Sequence, residues 1–189
     1  VSVSKMTTFR RLQGLPAYGS VAVGFPHEWA SLGREGLVVE FAGADGTTWV
    51  GNFCPGLGGL DAVRSHPNGT LVLLASAGAL WCVDPDSRSA EVIAPAVFEI
   101  WELESGDLLI DSQGLAFVRL GRAGVVWHTR RISWDGFQGI QIEGEHLQGE
   151  AWSPIEDRWL PFSVDLETGR VAGGSYNGPE MHFDYLRPQ

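Results

Sequence analysis

Turn signals recurring about every forty residues constrain this chain more than any other feature. Asp45-Gly46, Asp84-Pro85-Asp86-Ser87, Gly121-Arg122-Ala123-Gly124 and Asp165-Leu166-Glu167-Thr168-Gly169 each separate two strand-like runs, and their starts stand 39, 37 and 44 residues apart. Aspartate brings a side-chain acceptor to such turns and glycine brings the positive φ that tight reversal demands. A second series, His66-Pro67-Asn68-Gly69 and Glu104-Ser105-Gly106, keeps the same period, with its glycines 37 residues apart. Each of its turns opens a strongly apolar run. Two interleaved series at one period predict a repeat of short strands joined by tight hairpins.

The runs between the turns have strand character. Leu37-Val38-Val39, Leu71-Val72-Leu73-Leu74 and Leu108-Leu109-Ile110 are continuous apolar stretches, the pattern of strands covered on both faces. Near the carboxyl end the pattern alternates, with Leu160, Phe162 and Val164 facing one way and Trp159, Ser163 and Asp165 the other. Ile140 and Ile142 alternate likewise with Gln141 and Glu143. With 25 glycines, 10 prolines and only 19% charged residues, long exposed helices are not expected. One short helix is expected, at Pro26-His27-Glu28-Trp29-Ala30-Ser31-Leu32-Gly33, where proline opens and glycine closes the segment.

A unit of about forty residues holding four short strands has the size of a propeller blade, whose sheet buries its faces only when neighbours stack on it. Leu80-Trp81-Cys82-Val83-Asp84-Pro85-Asp86-Ser87 and Phe162-Ser163-Val164-Asp165-Leu166-Glu167-Thr168-Gly169 resemble the outer hairpin of β-propeller repeats, and His66-Pro67-Asn68-Gly69 resembles the inner-hairpin turn. The resemblance covers about Leu37 to Tyr176 and concerns architecture alone, since no WD dipeptide, GH pair or tryptophan-docking motif recurs. It implies an all-β fold: a small propeller-like array of about four antiparallel four-stranded blades in one domain, 1–189. The blades are expected at about 18–53, 60–96, 97–132 and 137–176, with the helix interrupting the first. A polar tail, 177–189, is expected to lie extended along an edge strand through Phe183 and Tyr185. A β-sandwich or a barrel is the alternative packing.

Thirteen basic against 23 acidic residues give a net charge of −10, which repels phosphate and argues against nucleic acid as a partner. A basic protein surface is the better match, although the same charge also serves solubility. Cys54 and Cys82 lie in no CxxC or Cys/His cluster, so no structural zinc site is expected; free thiols or a single disulfide are both open. The first residues carry no apolar core of signal-peptide length. The longest apolar run, 71–81, falls short of a membrane span. A cytoplasmic protein with no membrane contact is the expectation.

Eight tryptophans stand in the chain. Trp49, Trp81, Trp101 and Trp127 lie inside apolar runs and are expected in the core, whereas Trp29, Trp134 and Trp152 flank turns or polar segments and are the candidate binding surfaces. The stretch from Trp134 to Trp152 also gathers Asp135, Glu143, Glu145, His146 and Glu150, the richest titratable cluster. Two carboxylates held at the right separation serve glycoside hydrolysis, but solvated residues on a hairpin account for the cluster without any chemistry. Asp135, His146 and Glu150 therefore join the three tryptophans as candidate binding residues. His27, His66, His128 and His182 are scattered, and His182 with Asp184 makes too few ligands for a metal. GxSxG and phosphate-loop patterns are absent.

The sequence thus points to a non-enzymatic protein-binding domain without a cofactor, of the kind that an immunity-type inhibitor would use. A carbohydrate-binding module using Trp134 and Trp152, and a carboxylate-dependent hydrolase, are the rival readings. A homo-oligomer is compatible with exposed strand edges.

Overall fold

The computed structural model describes residues 8–19 and 21–179 and is almost entirely β-structure. Its strands form four four-stranded sheets, and the chain divides into two compact units between Ala96 and Val97, with two sheets in each. In the first unit, β1 (Thr8–Arg11), β2 (Val23–Phe25), β3 (Leu37–Ala42) and β4 (Thr48–Phe53) make one sheet, and β5 (Ala62–Ser65), β6 (Val72–Ser76), β7 (Ala79–Asp84) and β8 (Ser89–Ala94) the next. In the second unit, β9 (Val97–Glu102), β10 (Leu108–Ser112), β11 (Ala116–Gly121) and β12 (Gly124–His128) form the third sheet. The fourth comprises β13 (Phe137–Glu143), β14 (His146–Ser153), β15 (Arg158–Asp165) and β16 (Val171–Gly173).

The second, third and fourth sheets are antiparallel meanders. The first departs from that pattern: its order is β1-β3-β4-β2, and β2 runs parallel to β4, Val23 opposite Gly51. The cause is the helix α1 (His27–Ser31), which follows β2 directly and carries the chain across to β3. Because β4 returns antiparallel to β3, it runs alongside β2 in the same direction. Asp45-Gly46 consequently closes the two central strands of the first sheet. The other three turns of its series close the last hairpin of theirs, so the first 39-residue spacing joins unlike turns. Gly33, at φ 61°, stands two residues beyond α1, in the left-handed conformation that glycine adopts freely.

The turn residues act as their chemistry requires. Asp45 Oδ1 accepts hydrogen bonds from the N–H and Oγ1 of Thr47, and Asp165 Oδ1 accepts the same pair from Thr168 at 2.8 Å each. These bonds to the charged form hold both carboxyls below the ordinary aspartate range. Asp84 Oδ1 accepts from the N–H groups of Asp86 and Ser87, and Asn68 Oδ1 from those of Thr70 and Leu71. His66, which opens the Pro67-Asn68-Gly69 turn, is buried, with Nδ1 accepting the Asn68 N–H; burial lowers its pKa.

Each unit hides an aromatic core between its two sheets. Leu37, Val39, Phe41, Trp49 and Phe53 pack with Val72, Leu74, Trp81 and Val83 in the first unit, and the Trp49 Nε1–H donates to the Pro85 carbonyl at 2.9 Å. In the second, Leu109 and Phe117 pack with Leu147, Ala151, Phe162 and Val164. Phe117 stacks on Phe137 at 4.7 Å and on Phe162 at 5.8 Å. The continuous apolar runs at Leu37, Leu71 and Leu108 coincide with the almost wholly buried β3, β6 and β10. Trp101 and Trp127 are half-buried against the second core. Cys54 and Cys82 are free thiols, and burial, with Glu91 and Asp84 nearby, pushes Cys82 up to about 11.

Among the described residues no helix is long and apolar enough to cross a membrane. The tail expectation at Phe183 and Tyr185, and the pair His182 and Asp184, lie outside the described residues.

Gly173 is the tightest point of the fourth sheet. Its φ is 74°, and a Cβ there would stand 2.4 Å from the Pro161 carbonyl oxygen. Gly173→Ala is expected to cost about 2–4 kcal/mol, combining left-handed strain with a backbone clash. Urea unfolding measures it; an unchanged midpoint would mean that β16 does not approach β15 this closely.

Candidate functional site

The second unit carries a cleft of about 450 Å³ where hairpin tips of its two sheets meet. Its walls come from the β9–β10 turn with Glu102, Leu103 and Glu104, the β13–β14 turn with Ile142 and Glu145, and the β15–β16 turn with Leu166 and Glu167. Tight turns bring each glutamate to the rim: Leu103 N–H donates to the Asp107 carbonyl and Gly106 N–H to that of Leu103. Leu166 N–H reaches the Glu145 carbonyl at 2.8 Å, tying the second and third tips together.

Arg119, on β11, is the one cation in the lining, and its donors are committed. Nε donates to Asp107 at 2.7 Å and Nη1 to the Leu166 carbonyl at 2.7 Å. The Trp127 Nε1–H shares that carbonyl at 3.0 Å. Arg119 thus clips the third sheet to the fourth and neutralises Asp107, while Glu102, Glu104, Glu145 and Glu167 remain exposed on the rim. Among the described residues none of the four is in an ion pair. The result is an apolar floor of Leu103, Ile142 and Leu166 ringed by uncompensated carboxylates. Such a ring attracts ammonium or guanidinium groups and disfavours anions.

The sequence-derived candidates distribute differently. Trp29 belongs to the first unit, on α1, half-buried with the Arg34 guanidinium 5.8 Å from its ring. The other five belong to the second unit. Trp134 is half-buried in the segment before β13; its ring meets Tyr176 edge-on at 4.6 Å, and Arg131 lies over both rings. Trp134 Nε1 is buried with no acceptor among the described residues. Asp135 is exposed, its N–H donating to Ser133 Oγ. Trp152, on β14, pairs across to Trp159 on β15, with ring centroids 5.2 Å apart.

The carboxylate cluster disperses along the fourth sheet. Glu143 and Glu145 do not share a strand face: Glu143 ends β13, Gly144 and Glu145 form the turn, and His146 opens β14 opposite Glu143. Glu150 lies four residues further along β14, roughly 13 Å away at the rise of a strand, and accepts a 2.7 Å hydrogen bond from Gln138. No group of three metal-ligating side chains assembles among the described residues.

Of the cleft rim, only Glu145 belongs to the cluster that the sequence singles out. Glu102, Glu104 and Glu167 were missed as site residues, although Glu104 and Glu167 stand in the recurring turns, and that shared placement is the signal that could have found them. Compared with protein-family models, curated proteins and solved structures, the chain matches none.

Proposed function

We propose that this chain is a non-enzymatic binding protein that holds a basic segment of a protein partner in the acidic cleft of its second unit. The observation that carries this reading is the ring of Glu102, Glu104, Glu145 and Glu167 around an apolar floor, with Arg119 already neutralised by Asp107. A lysine or arginine entering there lays its aliphatic stem on Leu103, Ile142 and Leu166 and its charge against the rim. The net charge of −10 steers such a partner toward the surface. Neutralising a basic protein in the manner of an immunity-type inhibitor is the role to which this reading extends. Two free thiols agree with a reducing cytoplasm, and the blade-sized sheets agree with a propeller-like repeat.

Fluorescence anisotropy with labelled hexalysine and hexaarginine tests the site at low salt. Glu104→Gln with Glu145→Gln is expected to weaken binding about fivefold or more. Glu91→Gln with Glu99→Gln, an equal charge change outside the cleft, should leave it within a factor of about two. Equal losses in both pairs would refute a localised site.

A further inference from the structure

We propose a second binding site on the open face of the fourth sheet, one that takes a neutral glycan chain. Cross-strand register places Trp152 opposite Trp159, Glu150 between Gln138 and Pro161, and Gln148 between Gln141 and Ser163. Alternation puts these side chains on one face, because Leu147 and Ala151, between them on β14, are buried in the core. Gln138, Gln141 and Gln148 are exposed, and the two tryptophans are half-buried at one end of the row. From Trp152 to His146 the face extends roughly 20 Å along β14, room for several sugar rings.

The chemistry of the face selects its occupant. The two indoles, inclined at 58°, form an angled notch whose apolar walls suit the C–H face of a pyranose. Beyond it, each glutamine offers a carbonyl acceptor and an amide donor side by side, matching a pair of neighbouring hydroxyls. Glu150 adds acceptor capacity, and its hydrogen bond with Gln138 fixes the geometry of both. None of these face positions carries lysine or arginine, and His146 at the far end stands between Glu143 and Asp165, so a phosphate-bearing chain meets net negative charge there. Pro161 and the small Ala172, opposite Ser163, are the aliphatic side chains among them, so an amphipathic helix has little to bury. A ligand with apolar ring faces and many uncharged hydroxyls fits both properties.

Isothermal titration of the full chain with cellohexaose, xylohexaose, mannohexaose and maltohexaose tests this. At least one is expected to bind, with a Kd of roughly 10 µM to 1 mM. Trp152→Ala should weaken that binding about tenfold or more. Gln148→Ala, an exposed position whose loss leaves the fold intact, should also weaken it while the thermal midpoint stays unchanged. Absence of binding to all four hexaoses would overturn the proposal, as would binding that survives both substitutions. A concentration-dependent dimer in sedimentation that Gln148→Ala abolishes would overturn it too, assigning the face to a second copy. The hexalysine experiment is independent, since none of these residues lines the acidic cleft.

Discussion

Phe117→Ala is expected to lower stability by about 3–5 kcal/mol, a large share of what a domain of this size holds in reserve. Phe117 is fully buried on β11 and touches aromatic rings from three directions: Trp101 on β9, Phe137 on β13 and Phe162 on β15. Truncation removes its own transfer energy and leaves a cavity that rigid neighbouring rings cannot collapse into. Loss of the stacked geometry adds to the deficit. Phe117→Leu keeps most of the volume and should cost distinctly less. Urea unfolding of both variants reads the difference, and a loss under about 1 kcal/mol for the alanine would mean that this ring is not the centre of the second core.

Asp111 should make the protein less stable as pH rises. It is buried near the end of β10, with Oδ1 accepting the Gly114 N–H at 2.8 Å and Glu99 opposite on β9. Burial, reinforced by the Glu99 charge, pushes its pKa up to about 7, partly offset by the Gly114 hydrogen bond. The folded state therefore holds a proton that the unfolded chain releases near 3.8. Between those two values the native form binds more protons, so stability falls as pH rises through the interval. The full cost is reached above about 7 and is on the order of 4 kcal/mol. Asparagine keeps the acceptor for Gly114 and cannot ionise. Asp111→Asn is expected to match the wild type near pH 4 and to be the more stable protein at pH 8. Unfolding curves across that range check it, and parallel pH profiles would show that Asp111 ionises without penalty.

Much of the fold was legible because the relevant physics is local. Aspartate two or three residues before a threonine or serine N–H closes its own turn at Asp45, Asp84 and Asp165, wherever the strands later go. The apolar runs at Leu37, Leu71 and Leu108 could satisfy their composition only under cover on both faces. The first sheet was less legible. Nothing in Val23-Gly24-Phe25 distinguishes a strand that pairs antiparallel with its successor from one that pairs parallel with β4; the crossover through α1 decides that.

The candidate site divides along the same line. Residue type marked Trp152 and Glu145, but not their company: Trp159 joins Trp152 through the β14–β15 register, and Glu102 joins Glu167 across more than sixty residues of chain. By itself the sequence determined the turns, the strand periods and the acidic balance, because each depends on neighbours a few residues apart. Only the tertiary structure decided which hairpin tips meet, which carboxylate Arg119 neutralises and which sheet face stays open. Those outcomes depend on how sheets stack, and stacking energy is shared among residues that no local pattern connects.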